Sequence, residues 1–121
     1  MGVAVFRLSA DGSELHYRIV VTNIENVFAA HIHCNVAGMN GSIGGTLFEG
    51  TPNSGPVNGV LTADTATATD PGNACMWDDF GDLVAAVEAG GAYVNVHTSD
   101  GDATPNEGPG DFPGGEIRGQ L

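Results

Sequence analysis

Apolar and polar residues alternate along most of this chain, the two-residue period of strands that bury one face. Residues 3–10 (VAVFRLSA) put Ala4, Phe6 and Leu8 on one side, and Asp11-Gly12 follows as a hairpin turn signal. Residues 14–22 (ELHYRIVVT) alternate Leu15, Tyr17, Ile19 and Val21 with Glu14, His16 and Arg18. Residues 23–26 interrupt that strand, and residues 27–33 resume it. Short strands are expected at 46–48 and 57–62, around the turn Pro52-Asn53-Ser54-Gly55, with 63–74 irregular. Residues 92–98 place Val94 and Val96 inward and Tyr93, Asn95 and His97 outward. The closing strand, 116–121, puts Ile117 and Leu121 inward and Glu116, Arg118 and Gln120 outward.

One segment breaks the period. Over residues 78–89, Phe80, Leu83, Val84 and Val87 recur at helical spacing, Asp78 or Asp79 can cap the start, and Gly90-Gly91 stops it. Six or seven short strands and one short helix predict an all-β fold, an antiparallel Greek-key sandwich or barrel, in a single domain over residues 1–121. A chain of 121 residues, 41% hydrophobic, is long enough for one core.

In residues 27–33 (VFAAHIH), Phe28, Ala30 and Ile32 share the expected core face, while Ala29, His31 and His33 share the other. Residues i and i+2 of a strand project side by side, so the two imidazoles can reach one ion. His97, outward by the same phase, can supply a third, and three imidazoles suit copper or zinc. His16, outward beside Arg18, is a candidate fourth ligand or a surface histidine.

Charge changes the picture of partners. Fifteen acids against three arginines, with a net charge of −12, argue against nucleic acid and against anionic membranes. The excess fits high-salt adaptation, a calcium site or a merely solvated surface. Asp100, Asp102, Asn106, Glu107 and Asp111 crowd one loop as candidate calcium ligands, though without the full EF-hand order. No apolar run reaches the ~20 residues of a membrane span, and no charged-then-apolar leader stands at the front. Cys34 and Cys75 do not form a CxxC or zinc-ribbon pattern. They can close one disulfide if the chain lives outside the cytoplasm, or remain free thiols. Cys34 can reach a copper held by the preceding histidines only if the chain turns after His33.

Four segments in order carry a resemblance: FRLSADGSELHYRIVVTNIENV, AAHIHCNVAGMNGSI, GGAYVNVHT and GGEIRGQL. Together they resemble the CHRD domain family, named for chordin. That family is similar to copper-zinc superoxide dismutase in fold and in one motif, an HxH strand with a later histidine completing a copper site. The resemblance implies copper at His31, His33 and His97, and offers no counterpart of the bridging histidine or remaining zinc ligands; zinc at the histidines and calcium at the acidic loop are the other candidates from the residues themselves. If the chain is an enzyme, the resemblance implies a copper-only, superoxide dismutase-like oxidoreductase. It also implies an extracytoplasmic home, in a family widely used inside larger extracellular proteins. Members of the family usually begin with one more strand that has no counterpart here, so the resemblance implies either a trimmed domain or a missing edge strand, and an uncovered edge would be open to a second copy or a partner chain. Cys34 stands where the family has glycine, and the loop after His97 is longer and more acidic than usual. Arg118 is a candidate anion contact beside the metal, or pairs with Glu116 or a loop carboxylate. A non-catalytic extracellular interaction or matrix module is the competing reading.

Overall fold

The computed structural model describes residues 1–102 and 108–121. Its elements are β1 (Gly2–Leu8), β2 (Leu15–Glu25), β3 (Val27–Cys34), β4 (Ile43–Glu49), β5 (Pro56–Ala66), α1 (Phe80–Glu88), β6 (Ala92–Thr98) and β7 (Ile117–Gln120). They form two antiparallel sheets, β1-β2-β5 and β4-β3-β6-β7. After β3 and β4 the chain crosses to the other sheet as β5, then returns as β6 beside β3, a Greek-key path. The all-β sandwich with one short helix is therefore the fold.

Alternation puts Leu15, Tyr17, Ile19 and Val21 of β2 against Ala30 and Ile32 of β3 and Val94 and Val96 of β6. Removing a side chain such as Ile32 from water contributes about 1.5–3 kcal/mol, and Ile32 is fully buried. The Tyr17 hydroxyl, on one sheet, donates to the Leu47 carbonyl on the other at 3.0 Å. That bond satisfies a phenol the core would otherwise penalise.

The helix begins at Asp79, whose carboxylate accepts from the Asp82 N–H while the Asp82 carboxylate reaches back to the Asp79 N–H. It buries Leu83 against the sandwich and stops where Gly90 takes φ +74°. Cys34 and Cys75 form a disulfide that ties the end of β3 to the loop before α1.

Several boundaries differ from the alternation pattern. The first strand runs Gly2–Leu8 rather than to residue 10. β2 continues to Glu25, because Asn23 takes φ +59° and absorbs a bulge against β5. Asn26, at φ +60°, then turns the chain into β3. β4 and β5 are longer than expected, and residues 63–66 are strand rather than irregular. Within β4, Gly44 admits the Trp77 ring: a Cβ there would lie 2.2 Å from it. Phe28 is the one misassigned side chain of β3. A register shift between Val27 and Ala29 sends Val27 to the core and leaves Phe28 beside His97, with ring centroids 6.0 Å apart.

Candidate metal centre

β3 and β6 are neighbours in the middle of the four-stranded sheet, with Ala29 opposite His97 and His33 opposite Tyr93. Strand phase therefore brings His31, His33 and His97 to one spot on the face away from the core. One ring nitrogen from each lies within 4.8 Å of the others. The ring centroids are 4.8 Å apart for His31 and His97, 5.4 Å for His33 and His97, and 5.8 Å for His31 and His33.

Outward does not mean solvated. His33 and His97 are only 7% and 5% exposed, and every residue of β6 is buried. Two loops cover the sheet here, and each is tied to an imidazole. His33 Nδ1 bonds the Gly41 carbonyl at 3.0 Å, and His97 Nδ1 bonds the Pro113 carbonyl at 2.8 Å. A carbonyl only accepts, so both Nδ1 atoms carry the proton and both Nε2 atoms are left with a lone pair. Those two Nε2 atoms face each other at 3.3 Å. His31 Nδ1 is buried without a partner.

Burial lowers all three pKa values. His31 is pushed down to about 4, first by desolvation and then by His97 and His33, with Asp70 acting in the opposite sense. His33 is lowered by burial and to a lesser extent by Arg118, against the Gly41 carbonyl bond. His97 is lowered by burial and by His33, against the Pro113 carbonyl bond. Neutral imidazoles with converging lone pairs repel one another and fit a cation between them. The residues thus suit a metal ion, with the free Nε2 atoms of His33 and His97 and one ring nitrogen of His31 available to it.

Around them stands a supporting layer. Tyr93 stacks on His33, centroids 4.9 Å apart at 11°, and Arg118 lies over the other side of Tyr93 with its guanidinium carbon 3.6 Å from the ring centre. The Gly41 N–H donates to the Tyr93 hydroxyl at 2.9 Å. Asp70 accepts from the N–H and hydroxyl of Thr46, the cross-strand neighbour of His31, at 2.9 and 2.6 Å. Gly41 is required here, since a Cβ would fall 1.4 Å from the Cys34 carbonyl oxygen.

The other sequence candidates are placed elsewhere. His16 lies on β2 in the opposite sheet, where it bonds the Thr65 hydroxyl at 2.9 Å and sits 3.3 Å from Glu14. It is not brought to the three histidines. Arg118 does not pair with Glu116: its donors go to the Asn40 side chain and the Val36 carbonyl, while Glu116 receives the Thr98 hydroxyl. Cys34 is committed to the disulfide and offers no thiolate. Of the acidic loop, Asn106 and Glu107 lie outside the described residues. Asp111 accepts from the Asp100 N–H, and Asp100 from the Asp102 N–H, so both carboxylates brace the loop itself. Among the described residues, His31, His33 and His97 are the group of His, Cys, Asp and Glu side chains close enough together to be able to hold a metal ion.

Tyr93 and Asp70 were not singled out by pattern. Tyr93 had a signal, since it shares the outward phase of His97. Asp70 had none, because it lies in an aperiodic Thr/Ala/Asp stretch.

The fold and this centre define a β-sandwich with a three-histidine site on the central strands of one sheet. The CHRD domain model matches residues 1–104, which include all three histidines, and the chain belongs to the CHRD family. No curated protein and no solved structure matches it. Among the described residues, no helix is long and apolar enough to cross a membrane.

Proposed function

We propose that this CHRD domain binds copper through His31, His33 and His97 and works outside the cytoplasm. The observation that carries this reading is the pair of facing Nε2 lone pairs beside an unpartnered His31 Nδ1. Copper stands above zinc in the affinity order for nitrogen sites, and a set of three imidazole nitrogens suits it. The disulfide supports an oxidising compartment. When bound, copper would supply one-electron chemistry at an imidazole-lined, nearly buried position.

Binding or carriage is favoured over turnover. A superoxide dismutase-like reaction on a −12 chain calls for a local cation to draw the anion in. Arg118, the nearest candidate, is instead laid on Tyr93 and fastened to Asn40 and Val36.

Electron paramagnetic resonance of the Cu(II)-loaded protein tests the reading. Nitrogen hyperfine structure from three imidazoles is expected, with loss of at least tenfold in affinity on His33→Ala by titration calorimetry. Unchanged affinity in that variant overturns the proposal. The same loaded protein should show no more superoxide dismutation than an equal amount of free peptide-bound copper.

A further inference from the structure

β1 is an edge strand: it pairs with β2, and among the described residues nothing pairs its other side. Met1 and Thr22 exchange both backbone bonds, at 3.0 and 2.8 Å, which fixes the phase of the ladder. By alternation the odd residues Val3, Val5 and Arg7 spend their backbone groups on β2. Gly2, Ala4, Phe6 and Leu8 point their N–H and C=O groups at the open side.

Edge strands are ordinarily guarded by charge, proline or brevity. β5 has Pro56 and an exposed Asp64, β4 ends on an exposed Glu49, and β7 has four residues. β1 runs seven residues as GVAVFRL, with exposed Arg7 near its end as its one charge and no carboxylate, and leaves Val3 and Val5 at 62% and 59% exposure. Beside it lies an apolar slot, about 100 Å³, lined in part by Ala4, Ile19, Val21, Ile117 and Leu121. On a molecule of net charge −12, contact between copies is repulsive wherever carboxylates meet, and this edge has none.

We propose that β1 pairs antiparallel with β1 of a second copy, about a two-fold axis at Val5, to join two three-stranded sheets into one. The register follows from the phase. With Val5 on the axis, Ala4 lies opposite Phe6 of the partner subunit and Gly2 opposite Leu8 of the partner subunit. Every outward-pointing N–H and C=O of Gly2, Ala4, Phe6 and Leu8 is then matched. Moving the axis to Ala4 leaves Leu8 unmatched, and moving it to Phe6 leaves Gly2 unmatched. The same register sets Arg7 opposite Val3 of the partner subunit, so the two guanidinium groups are carried to opposite ends. The contact is isologous and closed, as most soluble homodimers are.

Sedimentation equilibrium on the metal-free chain should give twice the 12.3 kDa monomer mass, in a concentration-dependent manner. Val5→Glu, at an exposed position, sets like charges across the axis and should halve the mass with circular dichroism unchanged. Ala4→Pro removes only an outward N–H and should do the same. Val5→Cys tests register directly, because facing residues of a non-hydrogen-bonded pair lie about 4.5 Å apart at Cα, within disulfide reach. Under mild oxidation it should cross-link to a covalent dimer at least tenfold faster than Val3→Cys. A monomer at every soluble concentration overturns the proposal. So does a dimer that survives both Val5→Glu and Ala4→Pro, or equal cross-linking of the two cysteine variants.

Discussion

His31 holds the most displaced proton equilibrium among the described residues of the site, and its effect on stability has a definite sign. Above pH 6.5 the histidine is neutral whether the chain is folded or unfolded. Below 6.5 the unfolded chain takes up the proton while the folded one resists until about 4. The metal-free protein should therefore lose stability as pH falls from 6.5 to about 4, with the loss levelling off below. Thermal melts at pH 7.5, 5.5 and 4 check this, and His31→Gln should flatten the slope within that window. A second test concerns Gly115, which has φ +118° and lies where a Cβ would come within 2.2 Å of the Asn95 amide. Gly115→Ala should cost about 2–4 kcal/mol by chemical denaturation, because backbone strain and a side-chain clash act together. Strand phase alone made the three histidines legible, since period two leaves a residue only two faces to choose from. The buried state of that face was not legible. It depends on loop carbonyls at Gly41 and Pro113, which have no sequence signature.

Elements were read well where one face is apolar and poorly where backbone conformation decides. β6 was read residue for residue, because Val94 and Val96 alternate with larger polar neighbours. Phe28 was misplaced because an aromatic residue suits the core by type, while a bulge reverses its side. The extension of β2 through Asn23 was hidden because asparagine signals a turn, although its left-handed conformation here serves a bulge within the strand. At this scale the disulfide is the main cross-brace, joining the end of β3 to the segment that precedes α1, across a sequence separation of 41. In the chain-entropy view, the Cys34→Ser/Cys75→Ser double variant should lose about 4 kcal/mol, read as a lower denaturation midpoint with an unchanged helix signal. Leu83→Ala, which empties a site only 1% exposed beneath α1, should cost about 2–5 kcal/mol in the same experiment.

The whole molecule carries fifteen acids and three arginines, and the arginines are not spread evenly. Arg7 and Arg18 are diagonal neighbours on β1 and β2, and Arg118 is taken up by Tyr93. The remaining surface therefore repels itself. Screening shortens that repulsion to about 8 Å at physiological ionic strength and about 3 Å at 1 M salt. Melting temperature should rise as sodium chloride is raised toward 1 M. An unchanged or falling melting temperature would mean that the acidic surface is already neutralised by its own contacts.

The loops over the three-histidine cluster hold His33 and His97 with peptide carbonyls, from Gly41 and Pro113, rather than with side chains. A carbonyl is contributed by any amino acid that leaves the backbone path intact, although at residue 41 only glycine does so. Apart from Gly41, where a Cβ would strike the Cys34 carbonyl, and Gly38, at φ +82°, the residues displayed on the 35–42 loop are thus free to change while the imidazoles keep their tautomers. A saturation library across Val36–Met39 should retain metal binding in most members, whereas one-residue deletions in the same stretch should not. The domain can in this way present a succession of outer surfaces above an unchanged centre, with loop length as the inherited quantity and loop chemistry as the variable one.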